Sequence, residues 1–310
     1  MHNKPLISIC IPAYKRVQFL DRLLKSIAAQ TYSAFEVIIT DDTRGTGVEH
    51  FLQKQGYDFP LQYFHNAKQL GTPVNWSEGI KYANGDWIKI IHDDDWLANP
   101  EALQLFANEI KNGVDLIFSG FSVFDETTNT ITDNTISIKR FNTICNHAYY
   151  LFAKNELGPP SVLLFRKTIQ HPYDPTLKWL VDIEGYTRMI SASKSSYIAQ
   201  PLIVMSRNDS QVTNLTFRNP YVEIREALVY YRNFGPIVHE RLRTYDAWWR
   251  LLRNLSIRSE EQLVLYAQGE RIPQFFFQML HFQQKIPIAL LKNGVASKLF
   301  MAFSYLFQRP

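Results

Sequence analysis

The chain has 310 residues, 46% of them hydrophobic and 20% charged, which is ordinary for a folded protein and long enough to bury a large core. Its two cysteines, Cys10 and Cys145, supply no disulfide framework and no metal-thiolate spacing, and no uncharged apolar run reaches the roughly 18 residues of a membrane span. A disulfide-stapled scaffold and an integral membrane protein are thereby excluded, and a reducing cytoplasm is the expected setting. The net charge of +4 is uneven: residues 1–214 carry 20 Lys+Arg against 22 Asp+Glu, and residues 215–310 carry 13 against 7.

In chain order, Met1-His2-Asn3-Lys4-Pro5 leads without an apolar leader into Leu6-Ile7-Ser8-Ile9-Cys10-Ile11, a β-rich run ended by Pro12. From Phe19 to Ala29 the apolar residues fall at helical spacing. Phe35 to Thr40 predicts a second strand, ended by Asp41-Asp42; Leu61 to Phe64 predicts a third and Trp87 to Ile91 a fourth, with a helix over 74–83. Strands alternating with helices predict an α/β protein with a mostly parallel sheet and flanking helices. Ligands of such sheets bind outside the carboxyl ends of the strands, where Pro12-Ala13-Tyr14, Asp41-Asp42 and Asp93-Asp94-Asp95 all fall. Beyond Val114 to Phe118, a further strand, the regular alternation stops. A hairpin or loop is expected over 125–135, strands over 161–165 and 197–205, and a helix over 182–191. The expected boundary lies near Asn214, with aromatic, arginine-rich helices from Pro220 onward.

Three adjacent carboxylates after a buried strand need a counter-charge. At 4 Å and an effective dielectric near 20, each like-charge pair repels by about 4 kcal/mol. Hard oxygen donors suit Mg²⁺ or Mn²⁺, which share coordination between one or two carboxylates and substrate phosphates. The same residues also fit the start of a helix, where Asp is a common cap.

The pieces Ser8-Ile9-Cys10-Ile11-Pro12-Ala13-Tyr14-Lys15-Arg16, Gln30-Thr31-Tyr32, Phe35 to Asp42, Asn66, Gly71, Asn75-Trp76, Ala83-Asn84-Gly85-Asp86-Trp87 and the acidic triplet stand in one order over the first 110 residues. Together they resemble the family 2 glycosyltransferases, the inverting enzymes of the Rossmann-like GT-A fold, and a looser likeness runs to about residue 214. The resemblance implies a catalytic domain over 1–214, with a nucleotide-sugar half at 1–112 and an acceptor-side half at 113–214, and a helical region at 215–310. It implies Mn²⁺ or Mg²⁺ on Asp94, with Pro12, Ala13, Tyr14, Asp41, Asp42, Asp93 and Asp95 around the donor, a UDP-sugar, and Lys68 and Arg207 as phosphate partners. Asp182 in Trp179-Leu180-Val181-Asp182-Ile183-Glu184 matches the general base. Taken singly, Tyr14 also reads as a packed turn aromatic, Asp41-Asp42 and Asp182 as helix caps, and Glu184 as a rival base. The sequence departs from the family pattern at His92 and Val181, where acids are usual.

The expected acceptor is a glycan or lipid-linked glycan of cell-surface polysaccharide synthesis, met at the cytoplasmic face of the membrane. The aromatic clusters at Trp248-Trp249 and Phe275-Phe276-Phe277, and the stretch Ile286 to Phe307 interrupted by Lys292, Asn293 and Lys298, predict either a packed helical subdomain or a helix lying on an anionic membrane surface. No nucleic-acid-binding motif accompanies the basic charge. A nucleotidyltransferase would carry a glycine-rich phosphate loop, which Pro12 to Arg16 lacks; a degenerate scaffold is the non-enzymatic alternative.

Overall fold

The computed structural model describes residues 6–110, 113–207 and 218–307. Strand β1 (Ile7–Ala13) is buried along almost its whole length, as a continuous apolar run at the centre of a parallel sheet must be. It pairs in parallel with β2 (Phe35–Asp41) and with β4 (Trp87–Ile90), and β2 pairs in parallel with β3 (Leu61–His65). Helices α1 (Val17–Ala28), α2 (Gly47–Gln53) and α3 (Val74–Tyr82) make the connections. Helix α1 turns Leu20, Leu23, Leu24 and Ile27 inward, the i, i+3, i+4, i+7 stripe of an amphipathic helix. On α3 a Cβ at Gly79 would lie 3.3 Å from Cys10 Cβ, so the missing side chain lets helix and strand approach closely.

The Ala83-Asn84-Gly85-Asp86-Trp87 motif has a structural purpose. Buried Glu36 accepts from Ser8 Oγ at 2.6 Å and from Asn84 N and Nδ2 at 2.6 and 2.9 Å, while Gly85 N donates to Ser8 Oγ at 2.8 Å. Burial opposes the Glu36 charge, but these donors outweigh it and hold the carboxyl below its ordinary range. The network ties the entry of β4 to β1 and β2 and so fixes where their far ends fall.

Beyond β5 (Asp95–Leu97) and α4 (Ala102–Glu109), the chain adds β6 (Leu116–Asp125), β7 (Thr130–Asn134), α5 (Ile138–Asn146), β8 (Leu163–Arg166), α6 (Val181–Ala192) and β9 (Ser195–Arg207). The sheet order is β3-β2-β1-β4-β8-β6-β9-β5, with β7 on β6. The α/β architecture is as expected, but parallel pairing is confined to β3-β2-β1-β4 and to β6-β9. Strand β8 runs antiparallel to β4 and β6, β5 antiparallel to β9, and β7 antiparallel to β6. Period-two patterning reports burial, not direction, so the mixed half is invisible to it.

The chain divides into two compact units that interleave in sequence: Met1–Asn146, Glu156–Thr176 and Gly185–Asp209 form one, His147–Asn155, Leu177–Glu184 and Ser210–Pro310 the other. Asn214 and residue 112, the expected boundaries, lie outside the described residues. The second unit holds α7 (Pro220–Phe234), α8 (Ile237–Glu240), α9 (Leu242–Asn254), α10 (Glu260–Ala267), α11 (Gln274–Gln284), α12 (Ile288–Lys292) and α13 (Gly294–Phe307). Its core gathers Trp248, Trp249, Tyr230, Tyr245, Phe275 and Phe276, all buried, so these aromatics pack on one another. No helix of the described residues is long and apolar enough to cross a membrane.

Candidate active site

Parallel register sets the ends of β1, β2 and β4 side by side: Ala13 pairs with Asp41 and Cys10 with Ile90. Pro12 and Ala13 close β1, and Ala13 O accepts from Asp42 N at 3.0 Å. Tyr14 follows, its ring 37% exposed. Its N–H donates to Asp93 Oδ2 at 3.2 Å, which ties the β1 end to the acidic triplet.

Asp41 is fully buried; its carboxylate accepts from Thr43 N at 2.8 Å and Tyr63 OH at 2.9 Å. Asp42 accepts from Asn66 Nδ2 at 2.7 Å, Leu70 N at 3.0 Å and Gly71 N at 2.7 Å. Three donors on one carboxylate fix the 66–71 loop against the strand end, and Asn66 and Gly71 of the sequence motif find their physical reason there. Lys68 stands exposed on that loop.

The acidic triplet is buried almost completely, with Asp93, Asp94 and Asp95 at 2, 7 and 2% exposure. The counter-charge beside it is Arg16, a residue of the β1 motif to which the family resemblance assigns no role. Its guanidinium forms a fork, NH2 on Asp93 Oδ1 and NH1 on Asp94 Oδ2 at 2.8 Å. Burial disfavours the Arg16 charge, but the two carboxylates prevail and raise its pKa above the ordinary value. Asp93 is pushed up to about 7, because its own burial and the neighbouring Asp94 outweigh Arg16. Asp95 is driven well above the carboxylate range by burial and by Asp94. It accepts from Ser161 Oγ, whose oxygen in turn accepts from His92 N at 3.1 Å, so Pro160-Ser161 braces the triplet. His92 packs at 4.9 Å from the Trp76 ring, and burial lowers its pKa to about 4, which keeps it neutral near pH 7. Beneath lies Lys89, fully buried, donating to Ser161 O; desolvation holds its pKa far below the lysine range.

Oxygen donors from Asp93 and Asp94 fit a hard divalent ion in kind and number when substrate phosphates complete the shell, provided the Arg16 fork gives way. Among the described residues no group of three or more His, Cys, Asp or Glu is arranged to hold a metal by itself. Arg207, at the end of β9, lies 3.7 Å from Asp125 and is largely exposed. Its neighbour two positions back, Met205, is the register partner of Asp95.

Asp182 belongs to the second unit, at the first turn of α6. Half-buried, it accepts from Asn155 Nδ2 at 2.7 Å and Ile183 N at 2.9 Å, and desolvation lifts its pKa to about 6. The segment before it is held by Glu226 of α7, whose carboxylate accepts from the amides of Lys178, Trp179 and Leu180 at 2.7, 2.8 and 2.8 Å. Glu184, the rival base, is 2% exposed and accepts from Asn233 Nδ2 at 3.3 Å.

The sequence pattern of the family described as Glycosyl transferase family 2 matches residues 8–168. The chain belongs to that family of glycosyltransferases. The match takes in every donor-side residue named above except Arg207, and it does not reach Asp182. The chain is similar to the abequosyltransferase RfbV of Salmonella typhimurium, 33% identical over 115 residues, which are 36% of this chain and 34% of that one. It is similar also to the putative colanic acid biosynthesis glycosyl transferase WcaA of Escherichia coli, 36% identical over 102 residues, 32% of this chain and 36% of that one. These matches span about a third of the length of the relatives. Among solved structures, S. aureus TarS 1-349 in complex with UDP-GlcNAc aligns with 96% of this chain and 89% of its own, at 15% identity and a TM-score of 0.63, a likeness of fold.

Proposed function

We propose that the protein transfers a glycosyl group, with inversion, from a nucleoside diphosphate sugar to a hydroxyl of a glycan or lipid-linked glycan in cell-surface polysaccharide synthesis. The observation that carries this reading is the convergence of Tyr14, Asp41-Asp42 and Asp93-Asp94 at adjoining strand ends, the place where α/β sheets bind nucleotides. Of the named relatives, RfbV is an abequosyltransferase and WcaA a putative colanic acid biosynthesis glycosyl transferase, and TarS 1-349 is known in complex with UDP-GlcNAc, which supports a UDP-linked donor.

In this reading the Tyr14 ring, with Pro12 and Ala13 behind it, lies against the base. Asp42 keeps the 66–71 loop in place beside it, and Lys68 and Arg207 reach the diphosphate. Mn²⁺ or Mg²⁺, held by Asp94 with Asp93, would neutralise the charge that grows on the departing diphosphate. Asp182 takes the proton of the acceptor hydroxyl as its oxygen bonds to the anomeric carbon and the bond to the diphosphate breaks on the opposite face. The nucleoside diphosphate leaves with the electron pair of that bond, and the proton stays on Asp182.

A base with a pKa of about 6 fixes the pH dependence. Only the ionised form accepts a proton, so kcat/KM for UDP-sugar turnover with Mn²⁺ should rise through pH 6 and level off near pH 7. The stability linkage has the opposite sense. With the folded-state pKa raised above the ordinary 3.8, this carboxyl's stabilising contribution is full below that value and is lost as pH rises through about 6. Absence of nucleoside diphosphate release from UDP-, GDP- and dTDP-linked sugars alike, with Mn²⁺ or Mg²⁺ and an acceptor glycan present, would refute the reading, and release from a GDP- or dTDP-sugar alone would overturn only the UDP-linked donor.

A further inference from the structure

Helix α13 is built inside out. Its buried positions are Ser297, Met301, Ser304 and Tyr305, while Val295, Leu299, Phe303, Leu306 and Phe307 are 75, 59, 53, 61 and 79% exposed. The inward serines are used: Trp249 Nε1 donates to Ser297 Oγ at 3.0 Å, Tyr245 OH and Ser304 Oγ lie 2.7 Å apart, and Tyr305 OH donates to Glu240 O at 2.7 Å. The helix is therefore docked on α9 through these polar groups together with Met301 and Tyr305, which join the core, while Val295, Leu299, Phe303, Leu306 and Phe307 are left in water. Helix α12 adds Ile288 and Leu290, exposed by 56 and 43%. So many large apolar groups on two adjoining short helices mark an interaction surface rather than scattered exposure.

The charge around this face selects its occupant. From residue 285 to residue 307 the chain has Lys285, Lys292 and Lys298, all exposed, and no Asp or Glu. Glu240, beneath the last turn of α13, is followed at once by Arg241 and Arg243. A symmetric contact between two copies would bring like-charged lysines together around the apolar patch. An apolar stripe rimmed by lysines matches an anionic lipid surface, with side chains at the acyl boundary and ammonium groups among the headgroups. The fourteen described residues of this helix span about 21 Å, short of a hydrocarbon core of about 30 Å, a length that suits lying along an interface.

We propose that α12 and α13 dock the protein on anionic phospholipid bilayers, with Leu299 and Phe303 inserted and Lys292 and Lys298 on headgroups. This inference does not depend on sugar transfer, and its test reads binding alone. Full-length protein is sedimented with vesicles of phosphatidylcholine, with and without phosphatidylglycerol, beside two double variants. Wild type should favour the anionic vesicles. Leu299→Glu with Phe303→Glu should weaken binding to them by about 100-fold, since two large side chains lose their burial. Lys292→Ala with Lys298→Ala should cost about fivefold per lysine on anionic vesicles and nothing on neutral ones. All four positions are exposed, so unchanged thermal midpoints confirm that the variants fold. Wild type that ignores the vesicles, or binds equally to both kinds, overturns the proposal. So does a wild-type dimer that Leu299→Glu with Phe303→Glu converts to monomer, because the face would then belong to a second copy.

Discussion

Asp182→Asn is expected to lower sugar transfer by about 10² to 10⁴-fold, the usual contribution of a positioned general base, while donor affinity stays unchanged. The substitution keeps the shape and an acceptor oxygen for Ile183 N–H, but it cannot take a proton from the acceptor hydroxyl. A local cost falls at Asn155, whose donated hydrogen bond loses a carboxylate partner, worth about 1 kcal/mol. Single-turnover rates beside a UDP titration separate the two effects. If Asp182→Asn retains transfer and Glu184→Gln loses it, the base is the other carboxylate.

The second large effect concerns Arg16. Arg16→Ala should leave Asp93 and Asp94 buried with their forked partner gone, and breaking a buried pair from one side costs about 3–5 kcal/mol. Proton uptake tempers the loss, because Asp93 is already pushed up to about 7 and titrates higher still without the guanidinium. The apparent melting temperature of the variant should therefore fall by about 5–10 °C at pH 8 and by less at pH 6. Mn²⁺ should restore much of the loss in Arg16→Ala and change wild type less, since in wild type the ion competes with the fork. Equal melting temperatures for variant and wild type, with and without Mn²⁺, would show that Arg16 does not neutralise the triplet.

What the sequence revealed and what it hid divide on physical grounds. The strands β1, β2 and β4 were legible as short apolar runs because each is buried on both faces, and their polar ends marked the site. The need for a cation at Asp93-Asp94-Asp95 followed from Coulomb repulsion alone. That the chain itself offers Arg16 did not, because the partners stand 78 residues apart and meet only through β1–β4 pairing. Glu226 was hidden for the same reason: its three amide partners lie more than 45 residues away. Motif residues Asn84 and Gly85, and likewise Asn66 and Gly71, were recognisable as a pattern, yet their purpose appears only in the hydrogen bonds to Glu36 and Asp42. In α13 hydropathy alone would assign the large apolar side chains to the core and the serines to water. The hydrogen bonds to Trp249 and Tyr245 reverse that assignment.

The strand-end acids are proposed to bind a nucleoside diphosphate together with a divalent ion. Calorimetric titration of UDP into wild type and Asp94→Asn, each with and without Mn²⁺, tests it most directly. UDP binding to wild type should depend on Mn²⁺, and Asp94→Asn should lose that dependence with the fold retained. Mn²⁺-dependent UDP affinity that is the same in both proteins would contradict it.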